Sequence, residues 1–162
     1  MKPTFARLLV VLIALCSAGV CADAPKFGLA ADNKNFAQKL VGKMMAENAS
    51  LLTAGMHCVP PGDDKSHIIA STLNVIGKPS DPEDLDVGAK GFTTISPNLK
   101  VPKLGIMLPL HDRAGKIIGA LALAFKYHEG EDQVKYFAEA TAIRDRVAKD
   151  IPSLADLFAP TP

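Results

Sequence analysis

Apolar residues along this chain fall into helical and continuous rhythms. The clearest stretch spans 105–125, where two apolar runs flank Asp112-Arg113-Ala114-Gly115. That tetrad predicts the tight connection of a β-hairpin. An Asp side chain can accept from N–H groups just ahead of it, and Gly115 can take φ > 0 without steric cost. Both arms are apolar at nearly every position, which predicts strands covered on both faces. Ile106, Leu108 and Leu110 share one face of the first arm; Met107, Pro109 and His111 share the other. Pro109 lacks an N–H, so the arm is expected to be open on one side there. On the second arm, Ala120, Ala122 and Ala124 form a small-residue face suited to a close-packed helix or a ligand.

Helical rhythm marks two longer segments. Over 32–54, Phe36, Leu40, Val41, Met44, Met45, Leu51 and Leu52 fall near one stripe, with Asn35 as cap and Gly55 as stop. The two methionines there read as core filling. Over 132–149, Val134, Phe137, Ala140, Ile143 and Val147, continued by Ile151, recur at intervals of three and four. Leu154, Leu157 and Phe158 should fold back on the domain, and the last residues, 159–162, should fray.

Between the helices, Met56-His57-Cys58-Val59-Pro60-Pro61-Gly62 predicts a loop or short edge strand, since Pro-Pro-Gly breaks regular structure. Residues 66–73 predict a strand. Ser80 or Asp81 followed by Pro82, Glu83 and Asp84 predicts the start of a short helix that runs to about Val87 and is closed by Gly88 and Gly91. A short strand over 92–95 and a turn over 96–102 then lead into the hairpin. Together these elements predict an α+β single domain with an antiparallel sheet of about five strands, a long N-terminal helix and a C-terminal helix.

Residues 1–22 read as a secretory signal peptide. Lys2 and Arg7 precede a short apolar core, and Val20-Cys21-Ala22 offers a cleavage site. Residues 23–162 then form one domain with a periplasmic or secreted address and no membrane contact after cleavage. Of the three cysteines, Cys58 alone survives cleavage, so no internal disulfide forms. Lys and Arg total 18 against 17 Asp and Glu, a balance that carries no footprint for nucleic acid.

The order and punctuation of these elements resemble the PAS-like extracytoplasmic sensor fold known as the Cache group, over roughly 36–151. The resemblance rests on Met107-Leu108-Pro109-Leu110-His111-Asp112-Arg113-Ala114-Gly115-Lys116-Ile117-Ile118-Gly119 and on Ile76-Gly77-Lys78-Pro79-Ser80-Asp81-Pro82-Glu83-Asp84-Leu85. It implies a stand-alone sensor-like domain in which an excursion after the first strands closes a small-molecule pocket against the sheet. Candidate ligand-binding residues are His67, Asn74, Thr93, Met107 and Tyr127.

No catalytic constellation stands out: there is no nucleophile elbow, phosphate loop, His-Glu-x-x-His or Cys-x-x-Cys. His57 and Cys58 are adjacent, so on an extended strand they point apart, and the chain is read as a non-enzyme. One alternative is a haem- or copper-binding protein using His57 with Met56, Cys58 and His67, since thiolate, thioether and imidazole suit copper(I) or haem iron. The other is an interaction module whose apolar sheet face binds a protein partner or forms a homodimer.

Overall fold

A computed structural model describes residues 34–98 and 100–161. The predicted leader and the first residues of the mature chain lie outside the described residues. Helix α1 (Phe36–Glu47) is followed by strands β1 (Leu51–Cys58) and β2 (His67–Ser71) and by helix α2 (Pro82–Lys90). Strands β3 (Thr94–Asn98), β4 (Lys103–His111) and β5 (Ile117–Lys126) lead to helix α3 (Gln133–Asp150) and a 3-10 turn over Ala155–Phe158. The strands form one antiparallel sheet in the order β2-β1-β5-β4-β3. The architecture is the α+β single-sheet arrangement expected from the pattern.

The hairpin forms as read. The Asp112 carboxylate accepts from Ala114 N–H and Lys116 N–H, each at 3.0 Å, and Gly115 takes φ +80°. Leu104, Ile106, Leu108 and Leu110 of β4 and Leu121, Leu123 and Phe125 of β5 face a core closed by α1 and α3. Phe125 packs on Tyr136 of α3 with ring centroids 5.6 Å apart. Pro109 is tolerated because β3 pairs with β4 only from Lys103 to Met107, so Pro109 falls just past the end of that ladder.

Several boundaries differ from the sequence reading. The helix expected over 32–54 ends at Glu47, and its last part is strand: Leu51 pairs with Phe125, and Gly55 with Ser71 and Ala122. The apolar stripe ran on because a strand buried against the same core continues it in the same hydrophobic character. Gly55 is therefore a strand residue and not a stop. The segment expected as a loop or edge over 56–62 supplies Met56, His57 and Cys58 to β1, an interior strand between β2 and β5; Pro60 and Pro61 end it afterwards. Edge strand β3 runs into the expected turn and accepts Pro97, which an edge allows.

Helix α2 runs past Gly88 and is closed by Gly91 at φ +73°. On α3, Tyr136 and not Phe137 joins Ala140, Ile143 and Val147 in the core, and Val134 is 71% exposed. The tail through Thr161 does not fray as expected: Ala159 O accepts from Phe36 N–H at 2.9 Å, and Lys34 O accepts from the Thr161 hydroxyl at 2.8 Å. Leu157 is fully buried and Leu154 and Phe158 pack on the core.

Candidate functional site

Alternation along β1 sends Ala54, Met56 and Cys58 into the core and leaves Thr53, Gly55 and His57 on the opposite face of the sheet. Register then aligns that opposite face across the strands. One rung reads Ser71–Gly55–Ala122–Met107–Thr94, from β2 through β1, β5 and β4 to β3. The next reads Thr53–Ala124–Gly105–Ser96. Gly55 and Ala122 in the first rung and Ala124 and Gly105 in the second carry almost no side chain, Met107 is the one large interior residue, and hydroxyls stand at the ends. All nine residues line one open cavity of about 290 Å³. Its walls are Ile68, Leu73 and Val75 from β2 and the segment after it, with Glu83 of α2 at the mouth.

His57 closes one end. Its Nδ1 lies 3.0 Å from Asp84 Oδ2 and 3.3 Å from Ser80 Oγ, which is itself 2.8 Å from Ser66 Oγ. The same Asp84 oxygen accepts from Asp81 N–H at 3.0 Å, so one carboxylate both caps α2 and holds the imidazole. A carboxylate accepts only, which assigns the Nδ1 proton to His57 and leaves its Nε2 as a bare acceptor. Nε2 has no partner among the described residues. Burial pushes the His57 imidazole below its ordinary value, outweighing the opposing attraction of Asp84 and Asp81. A second cavity of about 310 Å³ lies along the same pair, lined by Val59, Leu85, Gly88, Ile117 and Leu154 among others.

The small-residue face read on the second hairpin arm divides between the two expected uses. Ala122 and Ala124 floor the open cavity. Ala120 is buried and lines neither cavity, and one residue earlier Gly119 is in close contact with Gly88 of α2. An added Cβ on Gly88 would approach the Gly119 carbonyl carbon to 3.2 Å.

The candidate ligand residues scatter around this site. Met107 lines the cavity. Thr93 is exposed one residue short of Thr94, which does line it, and Asn74 is exposed between the lining residues Leu73 and Val75. His67 is held outside it, with Nδ1 3.4 Å from Gly77 O and Nε2 3.5 Å from Asp63. Tyr127 is buried against Tyr136 on the core side, and its hydroxyl accepts from Gln133 Nε2 at 3.3 Å. The candidate metal residues are not brought together. Met56 and Cys58 belong to the core while His57 faces the open cavity; Cys58 and His57 both border the second cavity, but no group of three His, Cys, Asp or Glu side chains converges among the described residues. The Cys58 thiol is fully buried and is pushed up to about 12 by that burial.

Sequence reasoning missed Thr53, Gly55 and Asp84. The first two follow once β1 is extended back to Leu51. Asp84 was legible as a helix-start acid, but nothing local linked it to His57.

No protein-family model matches the chain, and no curated protein matches it. Among solved structures it is similar to a type II free methionine-R-sulfoxide reductase from Thermoplasma acidophilum, with TM-score 0.53 and 17% identity over 79% of this chain and 99% of that one. It is also similar to the GAF domain of a two-component sensor histidine kinase from Bacillus halodurans, with TM-score 0.50 and 13% identity over 70% and 91% of the two chains. At these identities the likeness is one of fold: the chain has a GAF/PAS-like fold, the coarser part of the resemblance read in the sequence.

Proposed function

We propose that this chain is a sensor-like domain that binds a small molecule between its sheet and the excursion from β2 to α2. The observation that carries this is the pair of rungs whose small residues Gly55, Ala122, Ala124 and Gly105 leave about 290 Å³ open above the sheet. Cavities of that order suit a small organic ligand. The GAF domain among its structural neighbours belongs to a sensor kinase, which fits the same use of the fold. Ligand contact with Glu83 or His57 would shift α2, and a protein partner or a second copy of the chain would read the shift. The Cache-like, exported form of the reading adds that residues 1–22 direct the chain to a periplasmic or secreted address.

The domain acts by binding and without catalysis in this reading. The first-named neighbour is a reductase, but Cys58 is a poor candidate for thiolate chemistry, because it is buried and its proton is held tightly. Haem or copper bound through His57, Met56 and Cys58 gains no support from side chains that diverge to two faces.

A thermal-shift screen of amines, amino acids, carboxylates and purines tests the proposal, since a ligand selective for the folded state raises the melting temperature. Stabilisation by at least one class, lost when Ala122 is enlarged, is the expected result. A folded protein that no compound stabilises at millimolar concentration would remove the reading.

A further inference from the structure

The lining of the cavity also carries a polarity. Its floor is a flat patch of Gly55, Ala122, Ala124 and Gly105, where a ring can lie directly on backbone. Neighbouring strands run about 4.8 Å apart, so a floor three strands wide matches one or two fused rings. The hydroxyls of Ser71, Thr53, Thr94 and Ser96 can donate or accept and do not select. Selection falls to the two remaining polar side chains, and both are acceptors. His57 Nδ1 is committed to Asp84 at 3.0 Å, so Nε2 offers a lone pair. Glu83 offers a carboxylate at the mouth. Among the described residues, no Lys or Arg lines this cavity to meet an anion.

We infer that the ligand is a flat ring compound bearing an N–H donor or a protonated amine, held by His57 Nε2 and Glu83, and that ring carboxylates are disfavoured. This rests on the proposed binding role of the same cavity.

The test measures binding of four matched probes to the full protein at neutral pH by calorimetry: benzylamine, benzamide, benzoate and toluene. Benzylamine is expected to bind about tenfold more tightly than benzoate, as a charge-assisted hydrogen bond gained by one and denied to the other would give. Glu83→Gln should narrow that gap while leaving toluene unchanged, and His57→Phe should weaken benzamide and benzylamine together. Benzoate binding as tightly as benzylamine would overturn the donor assignment while leaving the cavity a binding site. So would toluene binding alone. A benzylamine preference that survives both substitutions would overturn the roles of His57 and Glu83. Absence of binding by all four, toluene included, would overturn the binding role itself together with the inference.

Discussion

His57 Nδ1 and Asp84 Oδ2 stand 3.0 Å apart, and this contact ties an interior strand to the first turn of the helix beside the cavity. Both side chains are about nine-tenths buried, so the pair is shielded from solvent. Removing either partner would strand a buried polar group on the other, which makes the pair a fixed point of the site.

The same pair gives the protein a pH dependence with a definite sign. Burial lowers the folded-state pKa of His57 below the ordinary value of 6.5, so above that value the unfolded and folded chains are both neutral there. As pH falls, the unfolded chain takes up the proton first, and stability is lost until the folded value is reached. His111 is lowered too, by burial and then by Arg144, and contributes in the same direction. We expect urea midpoints to fall between about pH 7.5 and about pH 5.5. The fall should shrink in His57→Gln and steepen in Asp84→Asn, where the attraction opposing burial is gone. An unchanged slope in His57→Gln would show that His57 is not the group responsible.

Close packing at Gly119 gives a second expectation. A Cβ there would meet His57 O at 2.2 Å and Cys58 Sγ at 2.6 Å, the first a backbone atom that cannot step aside. Gly119→Ala should cost about 3 kcal/mol or more, at the upper end of overpacking. Gly42 on the exposed side of α1 is the control: nothing lies within 4 Å of its added Cβ. Gly42→Ala should stabilise by about 1 kcal/mol. Denaturant midpoints of the two variants should therefore move in opposite directions.

What the sequence could and could not reveal follows from the range of each interaction. The Asp112–Gly115 turn and the Ala120, Ala122, Ala124 face were legible because a turn and a strand face are set by residues a few positions apart. The Asn35 cap, whose side chain accepts from Gln38 N–H at 2.8 Å, was legible for the same reason. The extent of β1 was not, because Leu51 and Leu52 serve a helical stripe as well as a strand and only pairing with β5 decides between them. Once that boundary slipped, Thr53 and Gly55 could not be placed over the cavity. Thr93 lies just before β3 and is exposed, while Thr94, the first residue of that strand, lines the wall; a strand's start is fixed by pairing with β4, which no local pattern shows. The tail was expected to fray because its partners, Lys34 and Phe36, lie at the other end of the chain.

The buried thiol should be chemically silent. Cys58 is held up to about 12 by burial, so almost none of it is thiolate near neutral pH. Treatment of the folded protein with an alkylating reagent, followed by peptide mapping to separate Cys58 from Cys16 and Cys21, should leave Cys58 unmodified. Modification should become complete in denaturant. Rapid labelling under native conditions would contradict its placement in the core.

At the hairpin, the Asp112 carboxylate accepts from Ala114 N–H and Lys116 N–H while 7% exposed. Asp112→Ala leaves those donors without it and should cost about 1–3 kcal/mol. Asp112→Asn keeps an acceptor oxygen and should cost less. Equal midpoints for the two variants would mean that the turn is held by Gly115 and the strands alone.

The strongest contrast compares one substitution at two sites on the same face of β5. Ala120 is 1% exposed and lines neither cavity, so Ala120→Leu must force its neighbours apart and should cost about 1–3 kcal/mol. Ala122, two residues on, sits between Gly55 and Met107 at the floor of the open cavity. Ala122→Leu places its added carbons in space that is already empty and should change stability by less than about 1 kcal/mol. It should also lower the affinity of any bound ring compound by at least about tenfold, because the added side chain occupies the ligand's place. Paired denaturation and binding measurements separate these outcomes. If both variants lose the same stability, the hollow above Ala122 is filled in solution. If Ala122→Leu folds normally and binds as the parent does, the ligand lies elsewhere on the molecule.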